Sequence, residues 1–281
     1  MPTFPTLTAI DVAIKVPCGT IEIVASDRRD AVVTVSPSNP RREQDVRAAN
    51  ETSVEFDGSR LIVTAPKPRV AIFGPTESVE VTIEIPEGSN VTADAGFGAV
   101  RASGTLGTAN VNGGHGDIEL DATGDLFAHA SHGQIRIGDV NGSVEAECSH
   151  GSIRVKSATG AAKVKSSHGS ITLGEIGGEI TAKSSYGDVD IAAARGGVTA
   201  KTAYGAIDIR EVSAGEIDLE TSYGSVTVGV RDGVKAFLDL SSKAGRVRND
   251  LESSSAPESG AQTVKVFAHT NVGDVRVRRA R

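Results

Sequence analysis

The chain has 281 residues, of which 32 are glycine and one is methionine, with no tryptophan and few aromatic residues. That balance is foreign to a mixed α/β enzyme, and the Val, Ile and Ala that dominate the apolar set suit strands. The formal charge of −7 is spread along the chain and argues against nucleic acid, whose phosphates need a net basic face.

The N-terminal stretch MPTFPTLTAIDVAIKV has no basic segment followed by a continuous apolar run, so no secretory signal is predicted. No segment reaches the length of a membrane-spanning helix. Cys18 and Cys148 lie far apart and make neither a disulfide framework nor a paired metal motif. A cytoplasmic location with reduced thiols and no cofactor is the expectation. Residues 1–95 hold strand-like runs, VTVS, RLIVTAP and SVEVTIEIP, and GTIEI at 19–23 echoes a phrase that recurs later. They read as leading rungs or a cap, and no amphipathic helix is predicted anywhere.

Residues 96–230 repeat. A glycine after a ring residue falls at Gly98, Gly116, Gly133, Gly151, Gly169, Gly187, Gly205 and Gly224, a spacing of 18 with single steps of 17 and 19. Weaker copies follow at Gly245 and Gly273. A second glycine column, from Gly107 to Gly215, stands eight residues before the ring. Two such columns predict two tight corners per repeat, where glycine accepts the backbone cheaply. Between the corners apolar residues alternate, as in Ile153/Val155, Ile171/Leu173 and Val189/Ile191, which is the strand period. One rung cannot bury its own face, whereas stacked rungs bury each other at about 4.8 Å per step. The predicted fold is an all-β, single-chain β-solenoid, right-handed by the rule for parallel crossovers. Residues 231–281 read as irregular C-terminal rungs, with an exposed loop at 251–262 and a last strand, DVRVRRAR, whose arginines blunt an edge.

The run IKVPCGTIEIVASD, then VTVSPSNP, RLIVTAPK and SVEVTIEIPEGSNVTADAGFGAVRASG, followed by the S-[HY]-G-x-[IV]-x-[IV] units, resembles the bacterial putative-adhesin family of β-strand-repeat proteins. The resemblance covers almost the whole chain. It implies a β-solenoid-like fold and supplies no catalytic residues.

Three outward columns are candidates for function. The ring column runs Phe97, His115, His132, His150, His168, Tyr186, Tyr204, Tyr223. Its four histidines have the donors for a zinc, nickel or copper ladder, while the exchange of His for Tyr and Phe points to ring stacking. Lys165, Lys183 and Lys201, with Lys163 nearby, form a basic ladder between Glu147 and Glu220. They are either a solvated face or a seat for an anionic ligand. Asp188, Asp190 and Asp208 form an acidic patch on the other strand. Paired acids there suit glycan chemistry, and a soluble face explains them equally. Phe127 is out of register with Leu126 and Ala128 and is predicted to be exposed, while Cys148 occupies a small-residue column. Walker, nucleophile-elbow, HExxH and CxxC motifs are absent. These readings converge on a non-enzymatic scaffold or adhesin-like interaction module, self-associating or binding a protein partner. The alternative is a carbohydrate-active or metal-binding β-helix protein.

Overall fold

The computed structural model describes residues 2–68, 77–251 and 263–280. They are mostly strand and fall into two compact units, residues 1–139 and 140–281. Apart from Leu251, the loop expected at 251–262 lies outside the described residues. No helix among them is long and apolar enough to cross a membrane.

The first unit contains β1 (Thr3–Pro5), β2 (Asp11–Ser26), β3 (Asp30–Pro37), α1 (Glu43–Glu51), β4 (Ser53–Phe56), β5 (Arg60–Thr64) and β6 (Val79–Pro86). It continues with β7 (Asn90–Phe97), β8 (Val100–Thr105), β9 (Ala109–His115), β10 (Ile118–Thr123) and β11 (Leu126–His132), and β12 (Ile135–Val140) reaches its end. The second unit opens with β13 (Val144–His150), β14 (Ile153–Ala158), β15 (Ala162–His168), β16 (Ile171–Ile176), β17 (Ile180–Tyr186), β18 (Val189–Ala194) and β19 (Val198–Tyr204). It ends with β20 (Ile207–Val212), β21 (Gly215–Tyr223), β22 (Val226–Val230), β23 (Lys235–Ala244), β24 (Val247–Asn249), β25 (Thr263–Val272) and β26 (Val275–Arg279).

Each regular rung is a strand that ends in the ring residue, a corner glycine, and a returning strand. Ring strands pair in parallel with ring strands, and return strands with return strands. The register stacks like on like: Ile171 lies between Ile153 and Val189, and Ile180 between Ala162 and Val198. These inward side chains are all buried. Each large one contributes about 1.5–3 kcal/mol by leaving water. The fold is the parallel β-solenoid that the period predicts.

Each corner is fixed by two features. Gly169 has φ +146° and Gly187 +153°, values that disfavour any side chain, and an added Cβ would overlap the preceding rung's glycine carbonyl. The small polar residue two positions before the ring then ties the rungs together. Ser184 Oγ donates to Gly169 O at 3.3 Å, Thr202 Oγ1 to Gly187 O at 3.1 Å and Thr221 Oγ1 to Gly205 O at 3.0 Å. The second glycine column works differently from the expectation. Among its members only Gly215 has a positive φ, and Gly178 is required by space, since a Cβ there would lie 2.7 Å from Ala161 N.

Both units depart from chain order. In the first, β2 lies between β5 and β7 along Asp11–Cys18 and between β6 and β8 along Gly19–Ser26. The GTIEI echo is therefore a complete return strand, with Gly19 at the corner and φ +139°. In the second, rung β25–β26 sits between β21–β22 and β23–β24. The last strands in sequence are thus interior ones, and β23–β24 ends the stack among the described residues.

The first unit also carries antiparallel pairs, β3 on β6, β1 on β3 and β4 on β5. Helix α1, which the sequence reading missed, packs on β3 and β6. Its Asp45 is wholly buried and accepts the Asn39 and Ser78 backbone N–H groups at 3.2 and 3.1 Å, with Arg42 at 3.3 Å. A buried carboxylate needs such partners.

Candidate interaction surface

Within each unit the ring residues stack as parallel plates. In the first unit Phe97 stacks on His115 at 4.8 Å and His115 on His132 at 4.4 Å, with planes within 12° and 5°. In the second, His150, His168, Tyr186, Tyr204 and Tyr223 follow one another at 4.8–5.1 Å with planes within 9°. Parallel imidazoles hold their nitrogen lone pairs side by side rather than converging on one ion. Among the described residues no group of three His, Cys, Asp or Glu side chains is placed to hold a metal. The structure thus stacks His115 and His132 with Phe97 in the first unit, and His150 and His168 with the tyrosines in the second.

The lysines stand on the outer side of the ring sheet. Lys165 pairs with Glu147 at 2.8 Å, Lys163 with Glu145 at 2.6 Å, and Lys201 with Glu220 at 2.9 Å and Asp218 at 3.6 Å. The hydrogen bond and charge of Glu145 raise the Lys163 ammonium, Glu220 does the same for Lys201, and Lys201 lowers Glu220. Lys183 lies between Lys165 and Lys201 and has no carboxylate partner among the described residues.

Asp190 and Asp208 are direct neighbours on β18 and β20, flanked by Thr172 and Thr227. Asp188 stands apart at the corner, where its Oδ1 accepts the Ala206 N–H at 2.7 Å. Partial burial, then the Asp208 and Asp188 charges, raise the Asp190 carboxyl above its ordinary range against the pull of Arg210. Phe127 is 44% exposed, as its register predicts, and Cys148 is buried, which raises its thiol.

A surface that sequence reading missed lies at β23–β24. In β25 the inward Val264, Val266 and Ala268 are fully buried, yet their partners Ala236, Leu238 and Leu240 are only half-buried. Phe237 is 64% exposed, Val247 48% and Val272 44%. The Phe237 ring lies 6.5 Å from Phe267 at a tilt of 55°. The phrase KAFLDLSS alternates like any interior rung. Only the absence of a next rung among the described residues makes it an end.

These rungs, corner glycines and plate columns define a parallel β-solenoid repeat protein. The chain belongs to the Toastrack DUF4097 family, whose model matches residues 9–278. This bears out the resemblance drawn from the repeated phrase. A putative adhesin from Bacteroides fragilis is 14% identical, with 98% of this chain and 95% of that chain covered and a TM-score of 0.42. A putative cell adhesion protein from Clostridium sporogenes is 13% identical over 99% of both chains, with a TM-score of 0.23. A putative adhesin from Parabacteroides distasonis is 11% identical, covering 98% of this chain and 95% of that one, with a TM-score of 0.35. No curated protein matches the chain.

Proposed function

We propose that this chain is a non-enzymatic scaffold, an adhesin-like interaction module that associates with protein, its own copies included, through the open rung β23–β24. The observation that carries this is the half-buried inward layer of Ala236, Leu238 and Leu240 beside the exposed Phe237 and Val247. A solenoid end whose apolar layer is half-exposed and whose edge pairs with no further strand among the described residues is a ready template for another chain. Light scattering over a range of protein concentrations tests the reading. Mass that grows with concentration supports it, and a fixed monomer mass in the presence of candidate protein partners overturns it.

A second reading rests on the raised carboxyl of Asp190 beside Asp208. A raised carboxyl beside a second carboxylate is the pairing that a general acid for glycan cleavage needs. Replacing Asp188, Asp190 and Asp208 together by asparagine separates the two. Loss of glycan binding or cleavage with the fold intact favours this reading, and unchanged behaviour favours the scaffold.

A further inference from the structure

In the first unit, the outer side of the ring sheet carries an aromatic ring among amides. Phe127 on β11 faces Asn110 on β9, and His129 faces Asn112. One rung further, Asn110 faces Thr92 and Asn112 faces Asp94 on β7. Phe127 is 44% exposed, and Asn110 and Asn112 are exposed beside it. Paired strands lie about 4.8 Å apart and alternate residues of one strand about 6.7 Å apart. Asn110, Asn112, Phe127 and His129 thus mark the corners of a patch the size of one hexose ring.

The polar groups of this patch are not used by the fold. Asn90 on β7 shows the structural use of an amide: its Nδ2 donates to Asp11 Oδ1 and its Oδ1 accepts the Thr108 N–H, both at 2.9 Å. Asn110 and His129 make no side-chain hydrogen bond among the described residues. Asn112 makes one, from Nδ2 to Asp94 Oδ1 at 3.4 Å, which orients the amide and leaves its carbonyl oxygen open. Asparagine is disfavoured in strands, yet β9 places two of them in its middle. Sequences break such local rules chiefly at functional sites. The nearby charges balance, since Lys15 lies 3.7 Å from Asp94.

We propose that this patch binds a neutral sugar, with the C–H face of one hexose on the Phe127 ring and its hydroxyls on Asn110, Asn112 and His129. A hydroxyl both donates and accepts, and so does each amide and the neutral imidazole. An apolar ring beside a few placed polar groups is the usual composition of a small-molecule site. The charges select among sugars: Asp94 on the same face repels a carboxylated one, and Lys15 already balances Asp94. The backbone selects against a peptide strand, because β9 is paired on both sides, by β7 and β11, and only side chains are left to recognise a ligand. The patch belongs to the first unit and the open rung to the second, so either reading can fail without the other.

Heteronuclear NMR of the side-chain amides tests it, with glucose, galactose, mannose, N-acetylglucosamine and glucuronic acid each titrated into the full chain. At least one neutral sugar should move the Asn110 and Asn112 side-chain signals and saturate at millimolar concentration, and glucuronic acid should leave them in place. Phe127→Ala should weaken the binding by about tenfold or more, and Phe127→Tyr, which keeps the ring, should retain it. The folded spectrum of each variant shows that the rungs are intact. No movement with any neutral sugar overturns the proposal, as does binding that survives Phe127→Ala or an equal response to glucuronic acid. Signals that move with protein concentration alone, and not with sugar, assign the patch to a second copy of the chain and overturn it as well.

Discussion

The ring of Tyr204 lies face to face with that of Tyr186, centroids 5.1 Å apart and planes within 2°. Tyr223 covers its other face at 5.0 Å. Stacked aromatic pairs contribute about 0.5–1.5 kcal/mol beyond their buried area. Half-exposed rings sit at the lower end of that range. Tyr204→Ala should therefore cost about 1–2 kcal/mol. Tyr204→His, which the same column accepts at His168, should cost less than half as much. Urea unfolding of the two variants against the parent measures the difference.

Gly169→Ala should be among the most damaging single substitutions in the second unit. Its φ of +146° strains any side chain, and the new methyl group would meet the Gly151 carbonyl of the rung before. Strain of this kind costs about 1–3 kcal/mol before the overlap is counted. Ser167→Ala, next to the ring and outward, should be near neutral. Thermal unfolding of the pair checks both, and equal stability would contradict the account of the corner.

Lys183 has a lysine on each side and no carboxylate partner among the described residues. Lys183→Glu converts three like charges into an alternating row. It should stabilise the fold by about 0.2–1 kcal/mol at low salt, because opposite charges across strands attract and like charges repel. The gain should shrink in molar salt, since exposed pairs are screened. Denaturation midpoints at two ionic strengths read it directly.

Asp190 gives a pH dependence with a definite sign. Its folded carboxyl is raised by burial and by Asp208, so the fold disfavours the ionised form. Ionised Asp190 therefore weakens the fold above the raised folded value, and the penalty disappears as pH falls through the ordinary carboxylate range and the group protonates. Asp190→Asn should be more stable than the parent at neutral pH, by less than about 1 kcal/mol after screening at this part-exposed site. Its advantage should vanish in acid. Glu220 runs the other way. Lys201 lowers its folded value, so its contribution is present above the ordinary range and is lost as pH falls through the lowered one. Unfolding curves of Asp190→Asn and the parent across this range separate the two signs.

The sequence made the repeated part of the fold legible because the same physics acts at every rung. Period-two alternation marks the buried columns, and the ring-glycine step marks a corner that needs both positive φ and room. Even the GTIEI echo at 19–23 proved to be the return strand of a rung. Rung order was not legible. Nothing in the local pattern of β2 or of β25–β26 says that each lies between segments distant in sequence. Helix α1 escaped notice because EQDVRAANE offers too few apolar residues for a periodic stripe. Its anchor is instead the buried Asp45. The open rung was invisible for the opposite reason, since Leu238 and Leu240 alternate as in a covered strand.

The claim that association runs through the open rung, rather than through the lysine or aspartate columns, is tested most directly by one comparison. Mass is measured by light scattering across a range of concentrations for the parent and for Leu238→Lys. The variant sets an inward-pointing charge on β23, which pairs on one side only among the described residues, a device that blocks strand addition. The account predicts that the parent's mass rises with concentration and that the Leu238→Lys mass stays at the monomer value with the fold intact. Equal association by the two proteins would contradict it.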